Sequence, residues 1–538
     1  MSSSGIGRAS LFLASGTVVS RALGFVRAII LAQALGVVAS AGADAFAVAN
    51  QLPNAIYAIV AGGVLSATLV PAIVRSTVHN DGGVAYINKL VTIALVVMTS
   101  TALAATLLAP FLVHLYATSW TADQLALATA FAYWCLPQIF FYGLYALLGE
   151  ILNGRGSFGP FTWAPAANNI IGIVGLSLFI ALFGADSAGE RGVSQWSPTM
   201  VSLLAGTATV GVAVQALLLT LFWRRIGLKY RPDFRWRGVG LKDTGKMAGW
   251  TLAMILAIQI EGVIEINVAG IASGAYASVF TLQSAWLIFM LPHSIIAVSL
   301  GTAYYTRMST HAAAQKLDLV AADTSESLRR IGYFMSWAAA GLIGVALPFT
   351  TLFTHTSQGI WDMGWILTVF AIGLPAFSGV FILQRVLFAL NDGRLAFVVT
   401  MWQPVLLSGL MIGCAFLPPS VIALGIAASV SLVSLGWVGF GAILVRRRLG
   451  VASLHVAGSL YTAGAFGIFS AGVGMGVAWL LGAYHPSGWA VSNIGFAVIS
   501  MVAIGAAVTV TFIGLMRAFR IPELFALGTL VRRRSRNK

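Results

Sequence analysis

Charged residues are scarce in this chain. Asp, Glu, Lys and Arg make up 9% of its 538 residues, whereas hydrophobic residues make up 59%. A soluble protein has roughly a quarter of its residues charged, so this shortage excludes a soluble globular fold. Apolar runs of about 20 residues recur along the sequence, and each can cross the ~30 Å hydrocarbon core of a bilayer. Because backbone groups in lipid must be paired internally, the sequence predicts an all-α polytopic membrane protein.

Residues and motifs typical of enzymes are also missing. The two cysteines, Cys135 and Cys414, lie within apolar runs, and no CxxC pair exists. The seven histidines show no metal-ligand spacing, and no GxxxxGKS or GxxxxGKT sequence occurs. We therefore expect no enzyme activity, no metal and no cofactor. The N-terminal MSSSGIGR leads into an apolar run without a small-residue cleavage site, so no cleaved signal peptide is expected.

The apolar runs define about fourteen predicted transmembrane helices. Their approximate bounds are 9–35, 43–74, 88–117, 124–153, 159–184, 198–223, 246–273, 276–305, 330–354, 363–390, 396–417, 420–445, 459–483 and 488–516. Basic residues cluster in alternate connections, whereas the other connections hold one basic residue, Arg191. Because cytoplasmic loops carry the excess of Lys and Arg, we predict a cell inner (cytoplasmic) membrane protein with both termini in the cytoplasm. This topology also accounts for the net charge of +15 without nucleic acid as a partner.

An internal repeat links the fourth and tenth spans. The first copy contains Leu136-Pro137, LNGR (152–155) and Trp163-x-Pro165. The second copy contains Leu374-Pro375, LNDGR (390–394) and Trp402-x-Pro404. The offset is 238 residues and becomes 239 after one inserted residue. Six spans separate the copies, so the two halves have the same membrane orientation, which indicates a parallel repeat.

The repeat divides the chain into three predicted parts. Residues 1–226 form a first six-helix lobe and residues 227–448 form a second. Residues 449–538 hold two extra C-terminal helices and a basic cytoplasmic tail. A site between two lobes of equal orientation can open alternately to either side of a membrane, so this organisation predicts a transporter.

The first span carries two arginines, Arg21 and Arg27, and a charge inside a bilayer is costly. Ser20, Gly24 and Arg27 share one helical face, and Arg21 lies roughly 120° from Arg27 around the helix. Arginine presents a planar fork of donors that suits phosphate. We therefore predict that Ser20, Arg21 and Arg27 bind an anionic, phosphate-bearing substrate. The alternative is a structural ion pair between Arg27 and Asp44.

Two glutamates, Glu261 and Glu265, occupy the seventh span. They are four residues apart and so lie on one helical face. One hypothesis is that this acidic face opposes Arg21 and that the anionic substrate competes with it for the arginine. A second hypothesis is that the pair binds the Na⁺ or H⁺ that drives transport. The third is that the glutamates form ion pairs within one lobe.

Asparagines inside the apolar spans are further candidates. Asn50, Pro53 and Asn54 predict a broken second helix whose freed backbone groups line a substrate cavity. Asn168 and Asn169 in the fifth span are explained by hydrogen bonds between helices, which is the commonest role of such residues. All of these positions are polar exceptions within otherwise apolar helices.

A charged cluster closes the tenth span. Arg385, Asp392 and Arg394 lie near its predicted cytoplasmic end. Long basic side chains at this depth reach the membrane interface. We therefore predict interfacial anchors or a gate, with Asp392 as the coupling or gating residue, rather than a substrate site.

Six segments of the sequence match a known pattern. They are SRALGFVR (20–27), GADAF (42–46), LPN (52–54), GGVLSATLVPAI (62–73), LPHSIIAVSLGTAYYTRMS (291–309) and LFALNDGR (387–394). They resemble the MurJ/MviN family of lipid II flippases. The resemblance covers essentially the whole chain, and the two extra helices separate it from the twelve-span multidrug extruders of the same superfamily.

The resemblance implies the fold of the multidrug/oligosaccharidyl-lipid/polysaccharide (MOP) exporters. It implies transport of lipid II to the outer leaflet for cell-wall synthesis, by alternating access driven by membrane potential or ions. It also implies a cationic cavity for the diphosphate and sugar, and a groove for the lipid tail at spans 13 and 14. Ser20, Arg21, Arg27 and Asp44 match functional positions of the family, and Asn169 matches a polar position. The resemblance therefore implies that Asp44 and Asn169 also belong to the substrate-binding residues. Expected partners are the lipid-linked anionic substrate, the membrane, and cell-wall synthesis or division proteins.

The sequence departs from the family pattern at three places. Ala28 stands where an acidic residue often follows the second arginine, and residues 55–58 lack the arginine found after LPN in well-studied members. Leu287 replaces an arginine of the eighth span. Two alternatives to lipid II transport therefore stay open. One is a related exporter of another polyprenyl-linked glycan or an amphiphile, and the other is a transport-inactive cell-wall scaffold.

Overall fold

In the computed structural model the described part of the chain is almost entirely helical. The structure describes residues 3–61, 84–155, 157–223, 230–235 and 245–523, and no strand occurs within these ranges. The chain forms two compact units, Met1–Phe280 and Thr281–Lys538. The GGVLSATLVPAI segment, most of the basic run 224–246 and the basic tail 532–538 lie outside the described residues.

The first unit contains nine α-helices among its described residues. They are α1 (Ser3–Leu35), α2 (Ala41–Val60), α3 (Val84–Leu107), α4 (Ala109–Tyr116), α5 (Ala122–Cys135), α6 (Gln138–Gly154), α7 (Gly159–Phe183), α8 (Pro198–Trp223) and α9 (Gly245–Gly270). The helix α10 (Val279–Pro292) begins at the end of this unit and continues into the second.

The second unit continues from α10 through a π-helical turn, His293–Ala297. Its other helices are α11 (Val298–Ala313), α12 (Leu317–Thr350), α13 (Ser357–Ala389), α14 (Gly393–Cys414), α15 (Ile422–Leu449), α16 (Ala457–Leu480), α17 (Trp489–Ser492) and α18 (Ile494–Ala518). The π-helical turn directly follows Pro292, which has no backbone N–H to continue the regular hydrogen bonding.

The prediction of about fourteen transmembrane helices is confirmed. Thirteen stretches of the described residues are long and apolar enough to cross a membrane. Two of them combine consecutive helices, α5 with α6 and α10 with α11. The second predicted span, 43–74, is represented by α2 as far as residue 61, and its remainder lies outside the described residues.

In the first unit α7 packs between α1 and α8, while α2 packs on α5. An apolar core lies between α3, α6 and α8 and includes the fully buried Ile87, Ile151 and Leu219. The span formed by α5 and α6 breaks at Leu136-Pro137, because proline lacks the N–H that helix continuation requires. The helix α9 contacts α2 and α4.

The predicted break in the second span is wrong. The helix α2 runs continuously from Ala41 to Val60 with Pro53 inside it. A proline removes a single backbone hydrogen bond, and packing against neighbouring helices compensates for that loss. Pro53 is itself buried, and α2 packs on both α5 and α6. Asn50 and Asn54 therefore lie on a regular helix.

The helix α9, which we predicted to open the second lobe, groups with the first unit. The compact units divide after Phe280, whereas the predicted lobe boundary lies after residue 226. The contacts of α9 with α2 and α4 account for this grouping. The three-part division of the chain stays a prediction.

In the second unit α12 is the central helix and packs on α13, α16 and α18. The two C-terminal spans, α16 and α18, pack on each other as well as on α12. Where α12 crosses α16, the position of a Cβ built on Gly344 is 3.2 Å from Cα of Gly474. The two backbones therefore touch, because neither helix has a side chain at the crossing.

Both copies of the sequence repeat lie at corresponding junctions within their own units. The first joins the end of α6 at Gly154 to the start of α7 at Gly159. The second joins the end of α13 at Ala389 to the start of α14 at Gly393, with Asn391 in the left-handed region at φ 53°. The repeat thus marks a helix–turn–helix junction in each unit.

Candidate functional site

Arg27, on α1, lies against α7 in the first unit. Its Nη1 donates to Asn168 Oδ1 across 3.5 Å, and Asn168 Nδ2 donates to Gln215 Oε1 of α8 at 2.9 Å. Gln215 is buried. Among the described residues, no carboxylate lies within ion-pair distance of this guanidinium. Arg27 is therefore held by a neutral amide chain, and its charge is not compensated.

Ser20 and Asn169 meet at a second contact between α1 and α7. Asn169 Nδ2 donates to the backbone carbonyl of Ser20 at 2.8 Å and approaches Ser20 Oγ at 3.5 Å. A Cβ at Gly24 would lie 3.4 Å from Asn169 Nδ2, so the helices are close here. The structure thus brings together Ser20, Arg27 and Asn169. Arg21 lies on an exposed part of the same helix.

A hydroxyl and amide network connects α2, α6 and α8. Gln138 Nε2 donates to Thr209 Oγ1 at 2.9 Å and to Asn50 Oδ1 at 3.4 Å, and it accepts at Oε1 from Tyr142 at 3.1 Å. Gln138 is 1% exposed. Asn50 therefore has a structural partner, whereas Asn54 is exposed on α2. The sequence argument missed Gln138 and Gln215, although glutamines within apolar helices are a visible signal.

Asp44, on α2, organises the connection between α9 and α10. Its Oδ2 accepts from Ser273 Oγ at 2.6 Å, and its Oδ1 accepts from the backbone N–H of Phe280 at 2.8 Å. Gln124 Nε2 also donates to Ser273 Oγ at 2.8 Å. Asp44 and Arg27 form no ion pair in the described part of the chain, so the alternative of a structural pair between them is not observed.

Glu261 and Glu265 lie one turn apart on α9, and both are partly buried. Within the described residues neither carboxylate forms a hydrogen bond or ion pair with an arginine or lysine. The structure therefore shows neither an ion pair within the unit nor a contact with Arg21. It places two carboxylates together, and such a pair can take a proton or a monovalent cation. In the same part of the chain no three His, Cys, Asp or Glu residues are placed to hold a metal ion.

Asp392 begins α14 and holds the repeated junction of the second unit together. Its Oδ1 accepts from the backbone N–H of Leu395 at 3.1 Å, which caps the helix. Its Oδ2 accepts from Arg448 Nε at 2.8 Å, at the end of α15. Asp392 is thus an N-cap and an ion-pair partner. Its predicted role in coupling or gating stays a prediction.

The second unit has its own charged cavity, of about 440 Å³, between α11, α12 and the chain after α18. Asp323 is buried there and accepts from Arg307 Nη2, and His311 Nδ1 lies 3.0 Å from it. Arg329 pairs with Glu523 at 3.2 Å, and Arg330 pairs with Glu326 at 2.6 Å. An apolar slot of about 170 Å³ lies beside it between α12 and α18.

The connection between α8 and α9 lies partly against α3. Thr92 Oγ1 is 3.0 Å from Tyr230 Oη and accepts from the backbone N–H of Asp233 at 3.1 Å. The Arg235 guanidinium donates to both carboxylate oxygens of Asp233, at 3.0 and 3.1 Å. This side-chain hydrogen bonding lowers the pKa of Asp233 below its usual range.

Arg191, the one basic residue in the predicted outer connections, is a local helix cap. Its Nη2 donates to the backbone carbonyls of Phe183 and Gly184 at 3.1 and 3.2 Å, at the end of α7. Its guanidinium also lies 5.4 Å from the centre of the Phe179 ring and 5.5 Å from that of Trp196. Both arrangements suit a cation at a helix C-terminus.

Comparison with known proteins decides the family. The model of the family described as "Lipid II flippase MurJ" matches residues 31–525. The chain belongs to this family. Curated members include two described as "Probable lipid II flippase MurJ". The protein from Rickettsia prowazekii is 24% identical over 81% of this chain and 82% of its own length, and that from Haemophilus influenzae is 22% identical over 71% and 72%.

Solved structures show that the MurJ family fold extends over this chain. A structure of lipid II flippase MurJ in an inward closed conformation matches with a TM-score of 0.72 at 17% identity, covering 95% of this chain and 99% of that one. An inward-facing multidrug resistance MATE family transporter of the MOP superfamily matches with a TM-score of 0.63, also at 17% identity, over 80% and 94%. The resemblance to the MurJ/MviN family and the MOP exporter fold are therefore confirmed.

Positions where this MurJ family member departs from the family pattern carry apolar or aromatic groups. Tyr57, in the stretch after LPN, packs its ring on Tyr142 with centroids 5.9 Å apart. Leu287 is exposed on α10. Among the side chains described in the first unit, cationic charge at the site therefore comes from Arg21 and Arg27 of α1.

Proposed function

We propose that this chain translocates lipid II, the lipid-linked peptidoglycan precursor, from the cytoplasmic to the outer leaflet for cell-wall synthesis. The carrying observation is Arg27, a cation within a transmembrane helix with a neutral amide partner. An uncompensated charge there is costly, and an anionic substrate compensates it. The diphosphate of lipid II suits the guanidinium fork. Family membership and the descriptions of the curated relatives support the same substrate.

The other substrate contacts come from the same region. Arg21, about one and two-thirds turns before Arg27 on α1, supplies a second cation for the diphosphate. Ser20 and Asn169 hold α1 on α7 and fix where both arginines lie. Asn50 and Asn54 on α2 offer amide groups for the sugar and peptide. Asp44 contributes by holding the α9–α10 connection, since its carboxylate oxygens already have protein partners.

Translocation is coupled to an ion or to the membrane potential, without a cofactor. Glu261 and Glu265 are the coupling pair, because two adjacent carboxylates in a transmembrane helix gain from binding H⁺ or Na⁺. Asp392 supports the cycle by holding the α13–α14 junction to α15. Neutral Gln at both glutamates should abolish the ion dependence. Transport with unchanged ion dependence in that double variant would contradict this assignment.

The protein acts in the inner membrane with both termini in the cytoplasm. The basic clusters of the sequence favour this orientation. In this position the charged cavity of the second unit lies at the cytoplasmic side, available to the membrane surface and to cell-wall synthesis or division proteins. A cysteine-accessibility scan of the α11–α12 and α13–α14 connections with an impermeant thiol reagent tests the orientation.

Depletion of the protein is the direct test of the substrate. Lipid II labelled in its headgroup should accumulate in the inner leaflet, as measured by protection from an externally added headgroup-cleaving enzyme. No accumulation would contradict lipid II transport. Rescue separates transport from a scaffold role: wild type and Arg21→Lys should restore outer-leaflet lipid II, whereas Arg21→Ala should not. A scaffold would tolerate Arg21→Ala.

A further inference from the structure

The guanidinium of Arg27 lies against α7, where it contacts Asn168 and Gly172, and Asn168 in turn packs on α8. We infer that four residues of these helices, Asn168, Gly172, Gly211 and Gln215, form a seat that positions Arg27 for the anionic headgroup. This inference rests on the proposed function and assigns positioning residues to it. Two glycines supply the space, and two amides set the orientation.

Gly172 supplies the space for the guanidinium itself. A Cβ at this position would lie 2.6 Å from Arg27 Nε and 2.8 Å from Arg27 Cδ. Such distances are far below contact, so any side chain at residue 172 must displace the arginine. Arg27 therefore lies flat against the α7 backbone, in a place that only glycine leaves open.

Gly211 supplies the space for the Asn168 side chain, as Gly172 does for Arg27. A Cβ there would lie 2.4 Å from Asn168 Oδ1, so the amide lies directly over the α8 backbone. Asn168 and Gly172 are four residues apart on α7, and Gly211 and Gln215 are four residues apart on α8. Each helix thus presents one amide and one glycine on one face. The two faces meet at Asn168, which also contacts Arg27.

The amides have a fixed direction. Gln215 Oε1 accepts from Asn168 Nδ2, which turns Asn168 Oδ1 toward Arg27. Arginine can only donate, so reversing the Asn168 amide would break both hydrogen bonds. Asn168 Oδ1 accepts a hydrogen bond from one nitrogen of the guanidinium, and the described residues provide no second hydrogen bond to the guanidinium. The seat therefore orients the cation, does not neutralise it, and leaves further N–H donors for an anion.

Gly172→Ala is the sharpest test, because it moves the guanidinium without removing a charge. The added methyl meets the end of a flexible side chain, so the fold is retained. We expect about tenfold weaker binding of lipid II to the purified protein in nanodiscs, the loss of one well-placed charged hydrogen bond. Gly206→Ala on α8 is the matched control, since its methyl makes an ordinary 3.5 Å contact with Trp134.

Coupling to Arg27 separates positioning from general structure. In an Arg27→Ala background, Gly172→Ala and Gln215→Leu should cause no further loss of binding. A purely structural role predicts additive losses in that background. Losses that add, or wild-type binding by Gly172→Ala, would overturn the seat.

Adding a charge to the seat gives an independent test. Asn168→Asp places a carboxylate at the Arg27 guanidinium and should compete with the substrate. We expect lipid II binding to fall about tenfold and inhibition by added inorganic pyrophosphate to weaken in parallel. Asn168→Ala should weaken lipid II binding less than Asn168→Asp, and the opposite order would overturn the proposal. If wild-type protein neither binds nor moves lipid II while Gly172→Ala still loses pyrophosphate binding, the proposed function fails and the seat stands.

Discussion

Two arginine-containing sites, one in each unit, differ in the groups that their guanidinium groups face. In the first, Arg27 faces the neutral amide of Asn168 across 3.5 Å. In the second, Arg307, Arg329 and Arg330 each pair with a carboxylate. A neutral acceptor orients a guanidinium and leaves its charge, whereas a carboxylate cancels most of it. The contrast supports the proposal that Arg27 is kept for an anionic ligand, whereas Arg307 and Arg329 link α12 to α11 and to the chain after α18.

The comparison is tested most strongly by removing one arginine from each unit. Arg27→Ala should reduce lipid II translocation in proteoliposomes by about 100-fold, the loss of roughly two charged hydrogen bonds to the diphosphate. Arg307→Ala should translocate at close to the wild-type rate, because its charge is already paired. Equal losses in the two variants would show that the contrast between the units has no functional meaning.

Substitutions in the charged cluster of the second unit should lower the stability of the protein rather than its transport rate. Asp323→Asn removes the buried carboxylate that accepts from Arg307 and His311, so it should lower the free energy of unfolding by about 2 kcal/mol. The measurement is thermal unfolding in detergent, read as a lowered Tm. Asp318→Asn, exposed in the first turn of the same helix, is the control and should change little. An unchanged Tm for Asp323→Asn would contradict a structural role for this cluster.

Asp44 is the carboxylate of the first unit to which both a structural and a substrate role have been assigned. Asp44→Asn should lower the free energy of unfolding by about 1 kcal/mol, because a charged acceptor for Ser273 and the Phe280 N–H becomes a neutral one. The exposed Asp123→Asn on α5 should be silent. A variant of Asp44 with normal stability but weak lipid II binding would instead support direct substrate contact.

The smallest expected effect lies in the α8–α9 connection. The pKa of Asp233 is lowered by the hydrogen bonds from Arg235, so the stabilising pair is present above the ordinary pKa of aspartate. It is lost as the pH falls through the lowered pKa of the folded state. Hydrogen exchange of residues 230–235 should therefore quicken only at strongly acidic pH, after correction for the intrinsic rate. Asp233→Asn should show no such acid-dependent step.

The transmembrane spans could be predicted because length and apolarity are local properties of a sequence. The repeated junctions could also be predicted, since Asn, Gly and Pro mark turns wherever they occur. Pro53 misled the prediction because its surroundings, not its own chemistry, decide whether a helix continues. The partners of Asp44 could not be foreseen either, because Ser273 is 229 residues away along the chain.

The seat of Arg27 could likewise be predicted only in part, because it depends on contacts between helices that are distant in the sequence. The sequence indicated Arg27 and Asn169 directly, as polar exceptions on apolar helices. It gave no reason to connect Gly172 or Gly211 with an arginine on α1, because a glycine's role there depends on which helix lies opposite. Charges are therefore visible in a sequence, whereas the spaces that receive them depend on tertiary packing.

The bare crossing of α12 and α16 at Gly344 and Gly474 has a mechanical consequence. Neither α12 nor α16 has a side chain at this crossing, and the side chains nearest to the two glycines, those of Ile504 and Val508, come from α18. A methyl group at either glycine would meet the opposite backbone or these side chains, so it would force the helices apart. The two glycines therefore set how closely the C-terminal spans can approach α12.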